Sequence, residues 1–154
     1  MGLKLRKLGA ELRRFPKIGL DSSVLIYHLE DLKPYSELTE LVIHSVATGA
    51  STGILSTITL TELLVKPFAE KRLDRVTALE TFVSTFPNLV CVPPGMGIAR
   101  EGARLRTDYN LRTPDALIAA TALAEGASAL VTNDARLRRA SAEGIEIVVL
   151  DDYL

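Results

Sequence analysis

The sequence predicts a single α/β domain with a mainly parallel central sheet of about five strands and helices on both faces. The chain has 154 residues, the length of one typical domain, and is 47% hydrophobic, which argues against a disordered chain. Short apolar runs alternate with stretches in which apolar residues recur every three or four positions. That alternation is typical of parallel strands joined by helices. The runs that predict strands are residues 18–20, 53–56, 89–92, 129–131 and 145–150.

Residues 1–17 form a basic segment ahead of the first strand. They carry six of the 18 basic side chains and one of the 19 acidic ones, so their net charge is +5 and that of residues 18–154 is −6. Leu8, Leu12 and Phe15 recur at helical spacing, which predicts a short amphipathic helix. We expect a basic amphipathic arm followed by the main domain. The apolar stripe of the arm can pack on the domain or on another subunit, or its charge can attract RNA or a membrane surface.

The first predicted strand is followed directly by an acid. Asp21 comes after residues 18–20, and Ser22 and Ser23 open the next helix. In an open α/β sheet, ligands bind at the carboxyl ends of the strands, because helix N-termini and loops converge there. The sequence therefore places Asp21 at the edge of the sheet where a ligand site is expected.

Two more helices are predicted on either side of the second strand. A helical pattern starts at Pro34 and ends at Gly49. After residues 53–56, Thr57 or Thr59 can cap the helix that carries Glu62. Pro67 is expected to end that helix, and a longer amphipathic helix is expected from Phe68 to about Phe86.

The second half of the chain repeats the alternation. A helix is predicted over residues 98–109. The next begins with Thr113, Pro114 and Asp115, which supply a hydroxyl cap, a proline where its missing N–H costs nothing, and an acid in the first turn. After residues 129–131, Asn133 can cap a further helix with Asp134 in its first turn.

Four carboxylates thus occur just after strands or near helix starts, in segments otherwise poor in charge. They are Asp21, Glu62, Asp115 and Asp134. Converging carboxylates repel one another, and divalent cations among them make such a cluster tolerable. Oxygen ligands without cysteine favour hard ions such as Mg²⁺ or Mn²⁺, which can promote phosphodiester hydrolysis. Residue pattern alone leaves a second interpretation open, with Asp115 and Asp134 as helix-start acids and Glu62 as an exposed helix residue.

The chain resembles the PIN-domain ribonucleases, especially small VapC-type toxins, in four motifs spread over residues 18–154. LDSSVLIYHLE, TLTELLVKP, TPDALIAATAL and VTNDARL stand in the family's order and at its usual spacing. The resemblance implies that the four carboxylates form the family's acidic cluster. It also implies supporting hydroxyls from Ser22 and Thr132, and a role for Asn133 in shaping the loop before the last acid. The first motif departs from the common Asp-Thr-Asn by placing Ser23 where the family has an amide.

What the resemblance implies about function is a Mg²⁺- or Mn²⁺-dependent endoribonuclease, the toxin of a toxin–antitoxin pair. It also implies a homodimer, and inhibition by a VapB-type antitoxin that places a basic side chain among the acids. Two alternatives stay open: a housekeeping PIN nuclease in RNA maturation, and a catalytically silent PIN-like binding domain. Because RNA must approach an acidic body, positive charge has to be local. The candidates are the arm and the arginines Arg100, Arg104, Arg106 and Arg112, which can also be a solvated helix face.

Composition excludes several other classes of site. Cys91 is the only cysteine, so the chain has no internal disulfide and no cysteine-rich zinc site. No apolar run approaches the roughly 18 residues that a membrane-spanning helix needs, and the first residues alternate Leu with Lys and Arg unlike a signal peptide. We therefore expect a soluble, cytoplasmic protein without a membrane partner.

Overall fold

A computed structural model describes residues 2–154 and shows one five-stranded sheet with helices on both faces. The strands are β1 (Lys17–Leu20), β2 (Thr52–Ser56), β3 (Leu89–Val92), β4 (Ala129–Thr132) and β5 (Glu146–Val149). The α-helices are α1 (Leu3–Leu12), α2 (Ser22–Leu29), α3 (Ser36–Ala47), α4 (Thr57–Ala69), α5 (Leu73–Thr85), α6 (Met96–Tyr109) and α7 (Thr113–Ala124). Two 3₁₀ segments follow, Ala135–Glu143 and Leu150–Tyr153. The predicted α/β class and strand number are confirmed.

The first strand lies at the centre of the sheet. The order is β3-β2-β1-β4-β5, and every neighbouring pair is parallel. Ile18 pairs with Gly53 of β2 on one side and with Ala129 of β4 on the other. The chain therefore builds the sheet outward from β1 in one direction and then returns to its other side. This reversal creates a crevice at the carboxyl ends of β1 and β4, the position where such sheets bind ligands.

Alternate residues of the central strands face two separate buried clusters. Ile18 and Leu20 belong to the cluster that includes α1, α2 and α3, whereas Leu130 belongs to the cluster that includes α6 and α7. This alternation is the two-residue period of a strand covered on both faces. Within residues 2–154, no helix combines the length and apolarity needed to cross a bilayer.

The basic N-terminal segment packs on the main body of the chain. Leu8, Leu12 and Phe15 are buried in the first cluster, and α1 lies against α3 and the last 3₁₀ segment. The Tyr153 hydroxyl donates a hydrogen bond to Glu11. The apolar stripe of α1 thus follows the first interpretation of the arm, packing on the domain, while its basic residues remain on the surface.

Pro67 does not end its helix, contrary to the sequence prediction. It lies in the last turn of α4, which continues to Ala69, and the next helix begins at Leu73 rather than Phe68. A proline this close to the end removes only one intrahelical hydrogen bond. The helix ends where Lys71 takes a φ of 56°, with the Arg72 N–H donating to the Pro67 carbonyl at 2.8 Å. This C-terminal turn usually uses glycine, and no glycine is present here, so residue type did not indicate the end of the helix.

Other helix starts also differ from the prediction. Ser56, rather than Thr57 or Thr59, caps α4 by accepting a hydrogen bond from the Ile58 N–H at 3.1 Å. Helix α3 begins two residues after Pro34, at Ser36, and α6 begins at Met96 rather than at residue 98. The reason at α4 is that the last residue of β2 itself carries a hydroxyl and has the extended backbone that a cap requires.

Gly19 allows α7 to approach the central strand closely. A Cβ atom at this position would lie 2.8 Å from the Ala122 Cβ and 3.0 Å from the Leu130 Cδ1. The Ala122 Cβ has no rotamer freedom, so relief requires a shift of helix or strand. The close packing of β1, β4 and α7 therefore depends on a residue without a side chain.

We predict that Gly19→Ala lowers the free energy of unfolding by about 1–3 kcal/mol, the usual cost of overpacking a core. Gly97→Ala is the matched control, because no atom lies within 4 Å of its added Cβ and it occupies a helix. That control should be neutral or more stable by up to about 1 kcal/mol. Urea unfolding of both variants measures the difference, and equal stabilities would contradict the close-packing argument.

Candidate active site

The four predicted acids all lie toward the carboxyl edge of the sheet. Asp21 follows β1 and caps α2, and Glu62 lies in the second turn of α4, directly after β2. Asp115 is in the first turn of α7, and Asp134 follows β4. Parallel strands end at the same edge, and helix N-termini favour negative charge there. The fold thus explains why acids separated by up to 113 positions in the chain influence one another.

Asp21 is the most constrained of these carboxylates. It is only 6% exposed, and it accepts hydrogen bonds from the Thr132 hydroxyl at 2.6 Å and from the Ser22 N–H at 2.8 Å. Burial is the largest influence on its pKa and raises it, and the nearby charges of Asp115 and Asp134 also raise it. The hydrogen bonds from Thr132 and Ser22 act in the opposite direction. Asp21 is therefore a buried acid that lies close to two others.

Thr132 connects the ends of β1 and β4. Its hydroxyl donates to Asp21 and accepts a hydrogen bond from the Asp134 N–H at 3.0 Å. The residue is fully buried at the last position of β4. The Thr132 side chain thus orients both the carboxylate of Asp21, which follows β1, and the backbone of Asp134, which follows β4.

Glu62 carries an oxygen without a hydrogen-bond partner. Its side chain is partly buried, and Oε1 is a buried atom with no donor or acceptor in reach within the described chain. Burial is the first cause that raises the pKa of Glu62, and the charge of Asp21 is the second. The interpretation of Glu62 as an exposed helix residue is therefore wrong. A buried carboxylate oxygen without a protein donor is costly unless something else binds it.

Two arginines bind the remaining acids. Arg112 Nε lies 3.0 Å from Oδ2 of Asp115, a residue that is itself only 5% exposed. Arg136 contacts both carboxylate oxygens of Asp134, at 2.8 to 3.2 Å, and this interaction lowers the pKa of Asp134. These ion pairs offset part of the repulsion at the acidic edge. Sequence reasoning missed Arg136, although its position two residues after Asp134 was the available signal.

The residue types fit a hard divalent cation, whereas the side-chain arrangement does not itself form a closed coordination site. All the acidic donors are carboxylate oxygens, and the buried Oε1 of Glu62 has no protein partner, which suits Mg²⁺ or Mn²⁺. However, no three His, Cys, Asp or Glu side chains among residues 2–154 lie close enough together to hold an ion. Arg112 and Arg136 occupy two of the carboxylates. The chemistry of the set fits the ion, and its binding requires side-chain rearrangement.

A family model for the PIN domain matches residues 18–143. The chain belongs to the PIN domain family. Residues 1–17 of the chain lie outside the matched range. The match ends at Glu143, the last residue of the first 3₁₀ segment.

Solved structures with the same fold include two VapBC structures and FitAcB. A DNA-bound VapBC from Salmonella typhimurium matches with a TM-score of 0.64 and 23% identity, over 87% of this chain and 98% of that one. VapBC2 from Rickettsia felis, bound to a promoter DNA fragment, gives 0.61 and 22%, over 85% and 96%. FitAcB from Neisseria gonorrhoeae gives 0.63 and 19%, over 86% and 97%. The TM-scores show that these structures share the fold of this chain. Among curated proteins, the comparison found no match.

The loop before the last acid of this PIN domain is held by Asn133, which forms hydrogen bonds with two other parts of the chain. The Asn133 N–H donates to the Ser23 hydroxyl at 3.1 Å, so Ser23 holds this loop although it lacks the family's amide. The Asn133 side chain accepts from the Asp151 N–H at 2.9 Å and donates to the Asp151 carboxylate at 3.3 Å. The predicted cap is wrong, because Asp134 rather than Asn133 accepts from the Arg136 N–H, at 3.0 Å, and the element that follows is a 3₁₀ segment.

The predicted RNA-binding arginines of the PIN domain have different surroundings. Arg104 forms ion pairs with Glu101, Asp108 and Glu143, so its charge is neutralised locally. Arg106 donates to the Leu111 carbonyl at 2.9 Å, and Arg112 binds Asp115. Arg100 is exposed on α6. Of the four, only Arg112 contacts an acid of the candidate site.

We predict that Thr132→Val destabilises the protein by about 1–3 kcal/mol, because it removes one of the two donors to the buried Asp21 carboxylate and leaves the Asp134 N–H without a partner. Thr132→Ser is the control, since it keeps the hydroxyl and loses one methyl group, at a cost of about 1 kcal/mol. Denaturant unfolding in chelator gives both values. A Val variant at least as stable as the Ser variant would contradict the bridging role.

Proposed function

We propose that this chain is a metal-dependent endoribonuclease that hydrolyses RNA phosphodiester bonds, and that it is the toxin of a toxin–antitoxin pair. The observation that carries the proposal is the acidic carboxyl edge, where Asp21 is buried and Glu62 has an unpaired buried oxygen. PIN-domain proteins are nucleases, and the chain matches that family over most of its length. Retention of all four acids argues against the silent binding domain, because such a domain has no use for buried carboxylates that repel one another.

In this proposal the four carboxylates hold Mg²⁺ or Mn²⁺. Asp21 and Asp115 bind the principal ion, and Glu62 and Asp134 complete the cluster. Such an ion supplies a nucleophilic water at neutral pH and neutralises charge during in-line displacement at phosphorus. The hydroxyl of Thr132 and the backbone N–H of Ser22 hold the Asp21 carboxylate in a fixed orientation. The Ser22 side chain also acts to lower the pKa of Glu62, so it lies near both acids.

The arginines at the edge have a second task in the proposed reaction. Arg112 and Arg136 are each bound to an acid while roughly half or more of their side chains remain exposed. A guanidinium in this position can transfer its hydrogen bonds from a carboxylate to a phosphate, because both present the same pair of oxygens. They can thus stabilise the acids before RNA arrives and hold the phosphate afterwards.

We predict that Asp21→Asn and Asp115→Asn each reduce RNA cleavage at least about 100-fold, the usual range for loss of a group that acts on the reacting atoms. Asp74→Asn is the control, since Asp74 is an exposed residue of α5. A fluorescent RNA is incubated with Mg²⁺, with Mn²⁺ or with excess chelator, and circular dichroism verifies the fold. Full activity of either variant, or of the unmodified protein in chelator, would overturn the mechanism.

A groove beside the acids supports an antitoxin partner. It has a volume of about 840 Å³ between α2, α4 and α5, and Glu62 forms part of its lining. Leu29, Leu63 and Phe82 supply apolar surface. A toxin–antitoxin complex from Klebsiella pneumoniae has a similar fold, with a TM-score of 0.62 and 22% identity over 86% of this chain and 97% of that one. We propose that an apolar segment of a VapB-type antitoxin lies in this groove and directs a basic side chain toward Glu62.

We predict that Leu29→Arg weakens the complex with the product of an adjacent small gene by at least about tenfold, because a charge replaces apolar contact in the groove. Leu73→Arg is the matched control: Leu73 is 66% exposed and lies outside the groove, whereas Leu29 is 43% exposed within it. Titration calorimetry measures both affinities. Equal affinities of the two variants would exclude this groove as the binding site. An active nuclease with no such partner would favour the housekeeping alternative.

The resemblance to VapC-type toxins also favours a homodimer as the active form. Light scattering tests this directly, because a dimer has twice the chain mass of 16.7 kDa. A stable monomer at the concentrations used for cleavage would contradict it.

A further inference from the structure

Four arginines lie on one side of the acidic edge, around the turn between α6 and α7 and the 3₁₀ segment after β4. We call them the arginine rim: Arg106, Arg112, Arg136 and Arg139. Two come from the end of α6 and the turn, and two from the 3₁₀ segment. All four are exposed. Sequence reasoning identified Arg106 and Arg112 but neither of the other two, because the fold rather than the sequence places them beside the turn.

Arg106 and Arg139 hold the same turn from two elements. Arg106 Nη1 donates to the Leu111 carbonyl at 2.9 Å, and Arg139 Nη1 donates to the Asn110 carbonyl at 3.1 Å. Asn110 is in the left-handed conformation, with a φ of 51°, and ends α6. The two guanidinium groups therefore bind the carbonyls of adjacent residues in the turn.

Their acceptors are neutral, so the two positive charges remain uncompensated. Among residues 2–154, neither Arg106 nor Arg139 has a carboxylate within 4.0 Å. The neighbouring arginines on the same two elements do have carboxylate partners. Arg104 is surrounded by three carboxylates, and Arg138 pairs with Asp152 at 2.6 Å. Among residues 101–154, Arg106 and Arg139 are thus the only basic side chains without a carboxylate partner, in a body whose net charge is negative.

The rim continues from this uncompensated charge to the acids. Arg112 follows the turn directly and binds Asp115, and its charge acts to lower the pKa of both Glu62 and Asp134. Arg136 precedes Arg139 by one turn of the 3₁₀ segment and binds Asp134. The rim therefore contains two arginines that hold the α6–α7 turn and two that contact the carboxylates.

We propose that the arginine rim binds consecutive backbone phosphates of a single-stranded RNA and directs the strand to the acidic edge from the α6–α7 side. This inference rests on the proposed ribonuclease function. Guanidinium groups bind phosphate oxygens through paired hydrogen bonds, and such contacts position a strand without reading its sequence. The rim thereby supplies the local attraction that an acidic body needs to bind a polyanion.

The test is the salt dependence of RNA binding in chelator, where the proposed cleavage does not occur. Fluorescence anisotropy of a labelled single-stranded RNA is measured at several salt concentrations for Arg106→Gln, Arg139→Gln and the double variant. For single strands, each lost phosphate contact reduces the slope of log affinity against log salt by about 0.7. The expected reduction is therefore about 0.7 for each single variant and about 1.4 for the double variant.

Two neighbouring variants serve as matched controls, because each removes one positive charge from the same element. Arg104→Gln controls for Arg106→Gln, and Arg138→Gln controls for Arg139→Gln. Both should leave the slope unchanged, since their side chains are already paired with carboxylates. Arg139→Lys keeps the charge and should restore most of the slope. If the Lys variant behaves like the Gln variant, Arg139 serves only to hold the turn and the proposal is overturned.

The possible results distinguish a failure of the arginine-rim proposal from a failure of the proposed nuclease activity. Rim variants with the same slope as their controls, or no measurable RNA binding by the unmodified protein, overturn the rim. If such a protein nevertheless cleaves RNA with Mg²⁺ or Mn²⁺, the proposed function stands without it. If binding depends on the rim as expected and no cleavage occurs with either metal, the nuclease proposal fails and the rim remains an RNA-binding surface.

Discussion

The constraint on which the rest of the structure depends is the central position of β1 in a parallel sheet. Parallel pairing on both sides buries residues 18–20 of β1 and places the carboxyl end of every strand at one edge. The reversal of strand order between β1 and β4 then opens a crevice at Asp21. Gly19 makes this arrangement compact by allowing Ala122 to approach the strand. The topology of the sheet therefore determines where the acidic site lies, independently of the chemistry of its residues.

The same topology creates an electrostatic problem. It brings carboxylates together in partly apolar surroundings, where burial raises the pKa of Asp21 and Glu62. The protein offsets this cost by three kinds of interaction: hydroxyl and backbone donors to Asp21, helix N-termini, and guanidinium groups on Asp115 and Asp134. Glu62 benefits least, because one of its buried oxygens has no partner. Such uneven compensation is typical of sites whose residues serve a function at a cost in stability.

Sequence patterns were most informative where a residue type has one dominant physical use. Alternating apolar runs predicted all five strands, and the proline and acid after Thr113 predicted the start of α7 to within one residue. The predicted hydroxyl cap is wrong, because Arg112 rather than Thr113 is the N-cap and no side chain caps the helix. Prediction failed where tertiary context or unusual turn residues decided the outcome. Pro67 lies inside α4, which ends at Ala69, because the turn that closes the helix has Lys71 in a conformation that normally favours glycine. The contacts of Arg136 depend on a short 3₁₀ segment that helical spacing did not reveal.

The distribution of arginines explains how a domain of net negative charge can present positive charge beside its acidic edge. A guanidinium paired with several carboxylates, as at Arg104, adds stability but little external field. A guanidinium bound to a backbone carbonyl satisfies one of its donors and keeps its full charge, with other donors available to solvent or phosphate. Arg106 and Arg139 belong to this second kind. The structural role of holding the turn and the attraction of a polyanion are therefore compatible in one side chain, because the first uses a neutral acceptor.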